Sequence, residues 1–528
     1  DFDPNQGTIS RANVICACCM SGIDAKELPK LFLSQGHKEQ LLIIVTVKPG
    51  ITGKFYREAT ESDLRIFNKI DKELFQKRNK LHNEWELDPL LDEYLPPIGT
   101  LGFRVQRYGY KKWGDLFNNR QKLFLITLIN TIRTTNFSSA KSNKSIKIYL
   151  AFLVDRLATY HSSFIPWQSG YEKVQRMYSR QTLSMVWDYA ELNPFSGKSG
   201  SIESLLQDPL DVIESLAILM NKPATVLQCS ATELHYLDNS LDAIITDPPY
   251  YDSVPYADLS DFFYVLLKRS IGVDFPVYFA SPKTPKSQEA IQEPSRHNGD
   301  SKRAKFFYED LMKKSFLEFF RVLKPDGIIN IVFAHKSSDA WETIINAILE
   351  AGLYLTGSWP IHTEMKARLR AKDSAALASS IYMVCRKRNR NETAYYNEIK
   401  PAIEKRIHEK LDQFWSEGIG GSDFFISAIG PAVEVFGKYA SVEKLSGEKV
   451  SVKELLEYVR QIVTEYALSR ILKSPQLGGV DQLTRFYLVW RWTFGNNLVP
   501  FDDGNKMALS IGVGLDEHWD KGGIIEKA

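Results

Sequence analysis

Residues 241–250 read Leu-Asp-Ala-Ile-Ile-Thr-Asp-Pro-Pro-Tyr. The last four, Asp247, Pro248, Pro249 and Tyr250, have the types and spacing for chemistry on a planar amine. A carboxylate accepts one N–H of an NH2 group, a carbonyl set in place by proline accepts the other, and an aromatic ring stacks on the plane that carries the amine. Two acceptors aimed at one NH2 draw the nitrogen lone pair out of conjugation with its ring, so that it can attack a methyl donor. Such catalysis works by positioning and preorganised charge and needs no covalent intermediate. The same tetrapeptide also reads as a plain Pro-Pro turn with Tyr250 covering the core, so its surroundings must decide.

Those residues need a rigid mount. The short apolar run 243–245, bounded by polar residues, reads as a buried parallel strand. Two successive prolines remove two backbone donors and fix φ, so the chain leaves the sheet in one direction. The tetrapeptide therefore sits at the carboxyl end of a strand, where open α/β sheets place their ligands. It matches the (D/N/S)PP(Y/F/W) signature of the amino-methyltransferases. That match implies methyl transfer from S-adenosylmethionine to N6 of adenine or N4 of cytosine.

The elements downstream are regular. Residues 258–269 and 306–322 read as helices, and Lys324-Pro325-Asp326-Gly327 as a turn into a strand at 328–333. A helix at 338–351 and strands at 353–359 and 379–385 follow. The last two strands, separated by the basic segment 366–370, suit an antiparallel hairpin. With a strand at 224–229 these make the third to seventh strands of a Rossmann-like class I methyltransferase sheet. Ser230, directly after that strand, and Asp247 are the candidate cofactor contacts. The first two strands have no candidate. Residues 193–200 resemble the D-P-F-x-G-x-G loop that wraps the methionine end of the cofactor, but 180–190 reads as a helix and the count is one strand short. We read 193–200 as a look-alike. The expectation is an incomplete chain whose cofactor half lies upstream of Asp1.

Upstream, 41–47 reads as a strand, and 61–80, 119–133 and 146–160 as helices. The stretch 281–305 is polar and basic, and Lys283, Lys286 and Arg303 are candidate phosphate contacts beside the catalytic strand end; the alternative is a solvated loop. Tyr251 is a candidate nucleic-acid contact. The aromatic and basic cluster 108–113 and Trp490-Arg491-Trp492 read as packed segments before base-stacking platforms. Cys229 and Cys385 read as core residues in strands, and His335, on the rim of Asp247, as structural. Cys16 and Cys19 form a C-x-x-C knuckle, half of a zinc ribbon.

Composition sets limits. The 528 residues, 44% hydrophobic and 25% charged, suit two to four domains of an ordinary globular protein. No apolar run approaches the ~20 residues of a membrane helix. Five cysteines make no disulfide framework, which points to the cytoplasm. A net charge of +2 excludes a bulk polycation, so any nucleic-acid contact must use local patches.

A wider resemblance rests on the run 247–264 (DPPYYDSVPYADLSDFFY), on 188–196 (DYAELNPFS), on Phe333-Ala334-His335-Lys336, on 374–380 (SAALASS) and on Thr484-Arg485-Phe486-Tyr487. Together they resemble the bacterial and archaeal adenine-specific DNA methylases that contain a zinc ribbon. The resemblance implies zinc at Cys16 and Cys19, adenine over cytosine, and DNA as partner. Some relatives sit in phage-defence clusters, which implies other defence proteins as partners. The expected segments are a zinc-ribbon remnant at 1–48, a mostly helical part at 49–220, the catalytic domain at 221–390 and a helical domain at 391–528. RNA base methylation, or a catalytically silent DNA-binding subunit, are the alternatives.

Overall fold

The computed structural model describes residues 8–515 except 11–12, 17, 37, 49, 138, 179–181, 220–221, 336–337, 363–378, 389–391, 420, 474–479, 497–498, 500–503, 506, 509–510 and 512. The basic segment 366–370, residues 374–378 and Lys336 thus lie outside the described residues. The chain forms two compact units, one of 1–225 with 254–289, the other of 226–253 with 290–528. These cuts differ from the four segments expected: the helix after Tyr250 belongs to the first unit, and the C-terminal helices share a core with the sheet.

The first unit begins with three short antiparallel strands, β1 (Ile9–Ser10), β2 (Asn13–Ile15) and β3 (Gly22–Ile23). Helix α1 (Leu28–Gln35) and a hairpin of β4 (Ile43–Thr46) and β5 (Phe55–Glu58) follow. Then come α2 (Glu61–Trp85), α3 (Asn119–Thr134), α4 (Ala140–Tyr160), a hairpin of β6 (Trp167–Gln168) and β7 (Lys173–Val174), α5 (Ile202–Leu219) and α6 (Tyr256–Ile271). Helices α2 and α3 each start on a reciprocal capping box, Thr60 with Asp63 and Asn118 with Gln121, which satisfies donors at the helix start. Trp113, Leu116, Val154, Phe262 and Val265 are buried at their common core. Arg269 of α6 is fully buried and pairs with Asp92 at 3.0 Å and Glu93 at 2.9 Å. It also donates to the carbonyls of Asp88 and Leu90, so its charge is matched and the 88–93 loop is fixed to the helix.

The second unit is built on a four-stranded sheet of order β10-β11-β9-β8. Here β8 is Leu241–Thr246, β9 Leu323–Phe333, β10 Leu353–His362 and β11 Ser379–Lys387. Strand β8 runs parallel to β9, and β11 lies antiparallel to both β9 and β10, so the sheet is mixed and its last two strands form the expected antiparallel pair. Ile329, Ile331 and Phe333 alternate along β9 and are fully buried, as a sheet face on a core requires. Helix α7 (Ser301–Val322) starts on Asp300, whose side chain accepts from the amides of Lys302 and Arg303. It buries a stripe of Ala304, Tyr308, Met312, Phe316 and Phe319. Helix α8 (Ser338–Glu350) adds Trp341, Ile344, Ile345 and Ile348.

Two short strands, β12 (Thr393–Tyr395) and β13 (Ser441–Glu443), pair in parallel beyond the sheet. The closing helices are α9 (Tyr396–Ser416), α10 (Gly421–Ser427), α11 (Ile429–Phe436), α12 (Val452–Ile471) and α13 (Gln482–Phe494). Ile399, Ile403, Ile407 and Leu411 of α9 enter the same core as the sheet. Gly430 lets α11 lie on β10, because a Cβ there would stand 1.8 Å from Ser358 Oγ. Trp492 stacks on Trp415 at 5.6 Å, a packed position.

Two expected elements are absent. Residues 223–230 form no strand; Val226 is 89% exposed, and the backbone has no neighbouring strand to pair with among the described residues. Cys229 is consequently exposed, whereas Cys385 is buried in β11 as expected. Residues 182–192 form no helix. Leu183 is drawn instead into a bridge with Phe103, and Tyr189 into hydrogen bonds with Asn118 and Glu39, so tertiary contacts override the local pattern.

Candidate active site

The sheet delivers Asp247 directly from the end of β8. Pro248 is buried, and Pro249 and Tyr250 are half-buried. The Tyr250 hydroxyl donates to Asp247 Oδ1 at 2.5 Å. The Tyr250 ring stands edge-on to Phe333, at the end of the neighbouring strand, with centroids 5.3 Å apart. The Pro249 carbonyl is engaged by the Tyr308 hydroxyl at 2.8 Å and by the Tyr251 amide at 3.2 Å. The turn therefore leaves the Pro248 carbonyl, one residue earlier, as its candidate acceptor for a substrate amine beside the Asp247 carboxylate.

Tyr251 has a left-handed backbone, φ +51°, which is costly for an aromatic residue and must be held by its surroundings. Its ring meets Tyr308 at 5.3 Å and His335 at 5.8 Å, both edge-on. Burial pushes its hydroxyl up to about 12. The Tyr251 ring, expected from sequence to contact nucleic acid, packs against Tyr308 and His335 and supports the turn. His335 Nε2 lies 3.0 Å from Asp252 Oδ1, and the His335 carbonyl accepts from Trp341 Nε1 at 2.8 Å. The Ser253 amide donates to the Tyr250 carbonyl and the Gln292 amide to that of Tyr251. Tyr308 and Asp252 escaped the sequence analysis. Asp252 stood in the quoted run, but only the fold shows that it meets His335.

No family model, no curated protein and no solved structure matches the chain. The site must be judged on its own geometry.

Lys286 Nζ contacts both carboxylate oxygens of Asp261, at 2.9 and 2.8 Å, and Asp261 is fully buried. Thr284 donates its amide and hydroxyl to the same carboxylate, and Lys283 donates to the Tyr94 carbonyl. Lys286, a candidate phosphate contact from sequence, thus ties its segment to α6, and Lys283, the other, reaches the Tyr94 carbonyl. Arg303 is exposed in the first turn of α7. Tyr110 and Trp113 of the 108–113 cluster are buried, as a packed turn requires.

Among the described residues the fit to S-adenosylmethionine is incomplete. Residues 193–200 follow no strand and serve as the lead-in to α5: the Ile202 amide donates to the Pro194 carbonyl, and the Gly200 carbonyl contacts His161. Ser230 stands at no strand end, and its hydroxyl lies 2.8 Å from that of Thr232. Cys16 and Cys19 bracket the turn between β2 and β3, where hydrogen bonding with Ser21 lowers the Cys19 thiol below its ordinary range. Two thiols supply half of a closed zinc site. No cluster of three or more metal-ligating side chains occurs among the described residues. No helix among them is long and apolar enough to cross a membrane.

Proposed function

We propose that the protein is an amino-methyltransferase acting on an exocyclic amine of DNA, N6 of adenine by the family resemblance. The observation that carries this reading is the turn after β8, where Asp247 and Tyr250 are brought together at a strand end and the Pro249 carbonyl is already engaged. In this reading a flipped base enters with its amine between Asp247 and the Pro248 carbonyl, because the amine is out of reach within the stack. Asp247 accepts one N–H and the Pro248 carbonyl the other, which localises the lone pair on nitrogen. Asp247 has room for this, since a carboxylate offers several acceptor sites beyond the one that Tyr250 occupies. The Tyr250 ring covers the base, and its hydroxyl orients the carboxylate.

S-Adenosylmethionine is the methyl donor implied by the signature. Zinc at Cys16 and Cys19 rests on the C-x-x-C spacing and the resemblance, a cytoplasmic location on the cysteine usage, and partners in a defence system on the resemblance alone. Transfer of labelled methyl to DNA tests the proposal. Transfer to RNA instead would move the substrate class, and no transfer to either would favour a silent DNA-binding subunit.

A further inference from the structure

Two prolines fix φ in the turn, but the direction of each carbonyl also depends on ψ, which proline leaves adjustable. Something else must aim the Pro248 and Pro249 carbonyls, and the structure supplies a clamp. Tyr308, on the buried stripe of α7, is fully buried, and its hydroxyl donates to the Pro249 carbonyl at 2.8 Å. A phenylalanine would fill the same space without burying a hydroxyl, so packing alone does not call for tyrosine here. That bond fixes the peptide plane between Pro249 and Tyr250. Two residues after Pro249, the left-handed Tyr251 is gripped between the Tyr308 and His335 rings. One residue further, Asp252 is tied to His335 at 3.0 Å, and His335 is itself held through its carbonyl by Trp341. The turn is thus held at Pro249, Tyr251 and Asp252, from α7 and from the segment after β9, with α8 in turn holding His335.

We infer that Tyr308 and the Asp252–His335 pair are positioning residues that aim the amine-binding acceptors of the turn. The inference rests on the amino-methyltransferase reading, and it assigns these residues no contact with substrate. Their effect belongs on the rate at a filled site and not on DNA affinity, because misaimed acceptors still let DNA bind.

The test compares wild type with Tyr308→Phe and, separately, His335→Gln. Three quantities are read: methyl transfer per active site under DNA saturation, the KM for DNA, and hydrogen exchange of the Tyr251 and Ser253 amides. For Tyr308→Phe the clamp predicts a kcat lower by about tenfold, the equivalent of one lost hydrogen bond in the transition state, with KM unchanged. It also predicts faster exchange at both amides and an unchanged global melting temperature. His335→Gln should show the same split if Tyr308→Phe folds poorly. Wild-type kcat together with wild-type exchange in both variants overturns the clamp, as does a loss confined to KM. If wild type transfers no methyl, the functional reading fails on its own. The exchange comparison then still decides, and equal amide protection in all three proteins overturns the clamp.

Discussion

The Tyr250 hydroxyl donates to Asp247 Oδ1 at 2.5 Å, closing a ring over the two prolines between them. The aromatic residue proposed to cover the base therefore also orients the carboxylate that receives its amine. The two roles separate by substitution. Tyr250→Phe keeps the ring and loses the hydrogen bond, so kcat should fall by roughly threefold to tenfold with DNA binding intact. Tyr250→Ala loses the stack as well and should weaken capture of the flipped base by ~1–3 kcal/mol. Fluorescence of a 2-aminopurine placed at the target position, beside the methyl-transfer rate, reads both effects.

Lys286 and Arg303 looked alike in sequence, and the fold separates them. Lys286 faces the fully buried carboxylate of Asp261, whereas Arg303 is exposed on α7. Lys286→Met should destabilise the protein by up to roughly 3–5 kcal/mol, the cost of stranding a buried charge. It should leave the salt dependence of DNA binding unchanged. Arg303→Ala should leave stability unchanged and, if that residue touches phosphate, lower the salt slope by about one. Urea melts and binding isotherms at several salt concentrations measure the pair.

Gly430 marks the crossing of α11 over β10. A Cβ at this position would lie 1.8 Å from Ser358 Oγ and 2.5 Å from Ser358 Cβ, so one element has to move. Gly430→Ala should cost about 1–3 kcal/mol, as overpacking in a dense core does. Ser358→Gly in the same chain should recover part of that loss. Thermal melts of the single and double variants check both statements.

Asp155, buried on α4, has an oxygen, Oδ1, with no hydrogen-bond partner among the described residues. Burial raises its carboxyl well above the usual carboxylate range. The folded state therefore holds this proton more tightly than the unfolded chain, whose aspartates titrate near about 3.9. The resulting stability is fully present below the unfolded value and is lost as pH rises through the folded one. Asp155→Asn removes that titration, so its stability relative to wild type should increase as pH rises from acid toward neutral. A denaturant series across that range tests the sign.

The parts legible in sequence were those written in local pattern. The apolar run before Asp247 became β8, though at the edge of the sheet with Ile245 79% exposed and not buried as expected; the strand at 328–333 became part of β9, and the strands at 353–359 and 379–385 paired antiparallel as expected. The charged helical stretch at 61–80 and the helical periodicity at 119–133 became α2 and α3. What failed was set by distant partners. Residues 224–229 are apolar enough for a strand, but a strand needs a neighbour for its backbone donors. The inward turn of Tyr251 depends on Tyr308, and the capture of Lys283 and Lys286 depends on α6 and Tyr94; all of these lie tens of residues or more away in the chain. At the candidate site, the tetrapeptide itself was legible. The clamp around it was not, because hydrogen bonds to a backbone carbonyl leave no spacing rule in the sequence.

The most direct test is transfer of labelled methyl from S-adenosylmethionine to DNA by the protein expressed from its whole gene, wild type beside Asp247→Ala. The account predicts that wild type labels an exocyclic amine, and that Asp247→Ala binds DNA about as well but transfers nothing measurable. Wild-type turnover by the Asp247→Ala protein would contradict it.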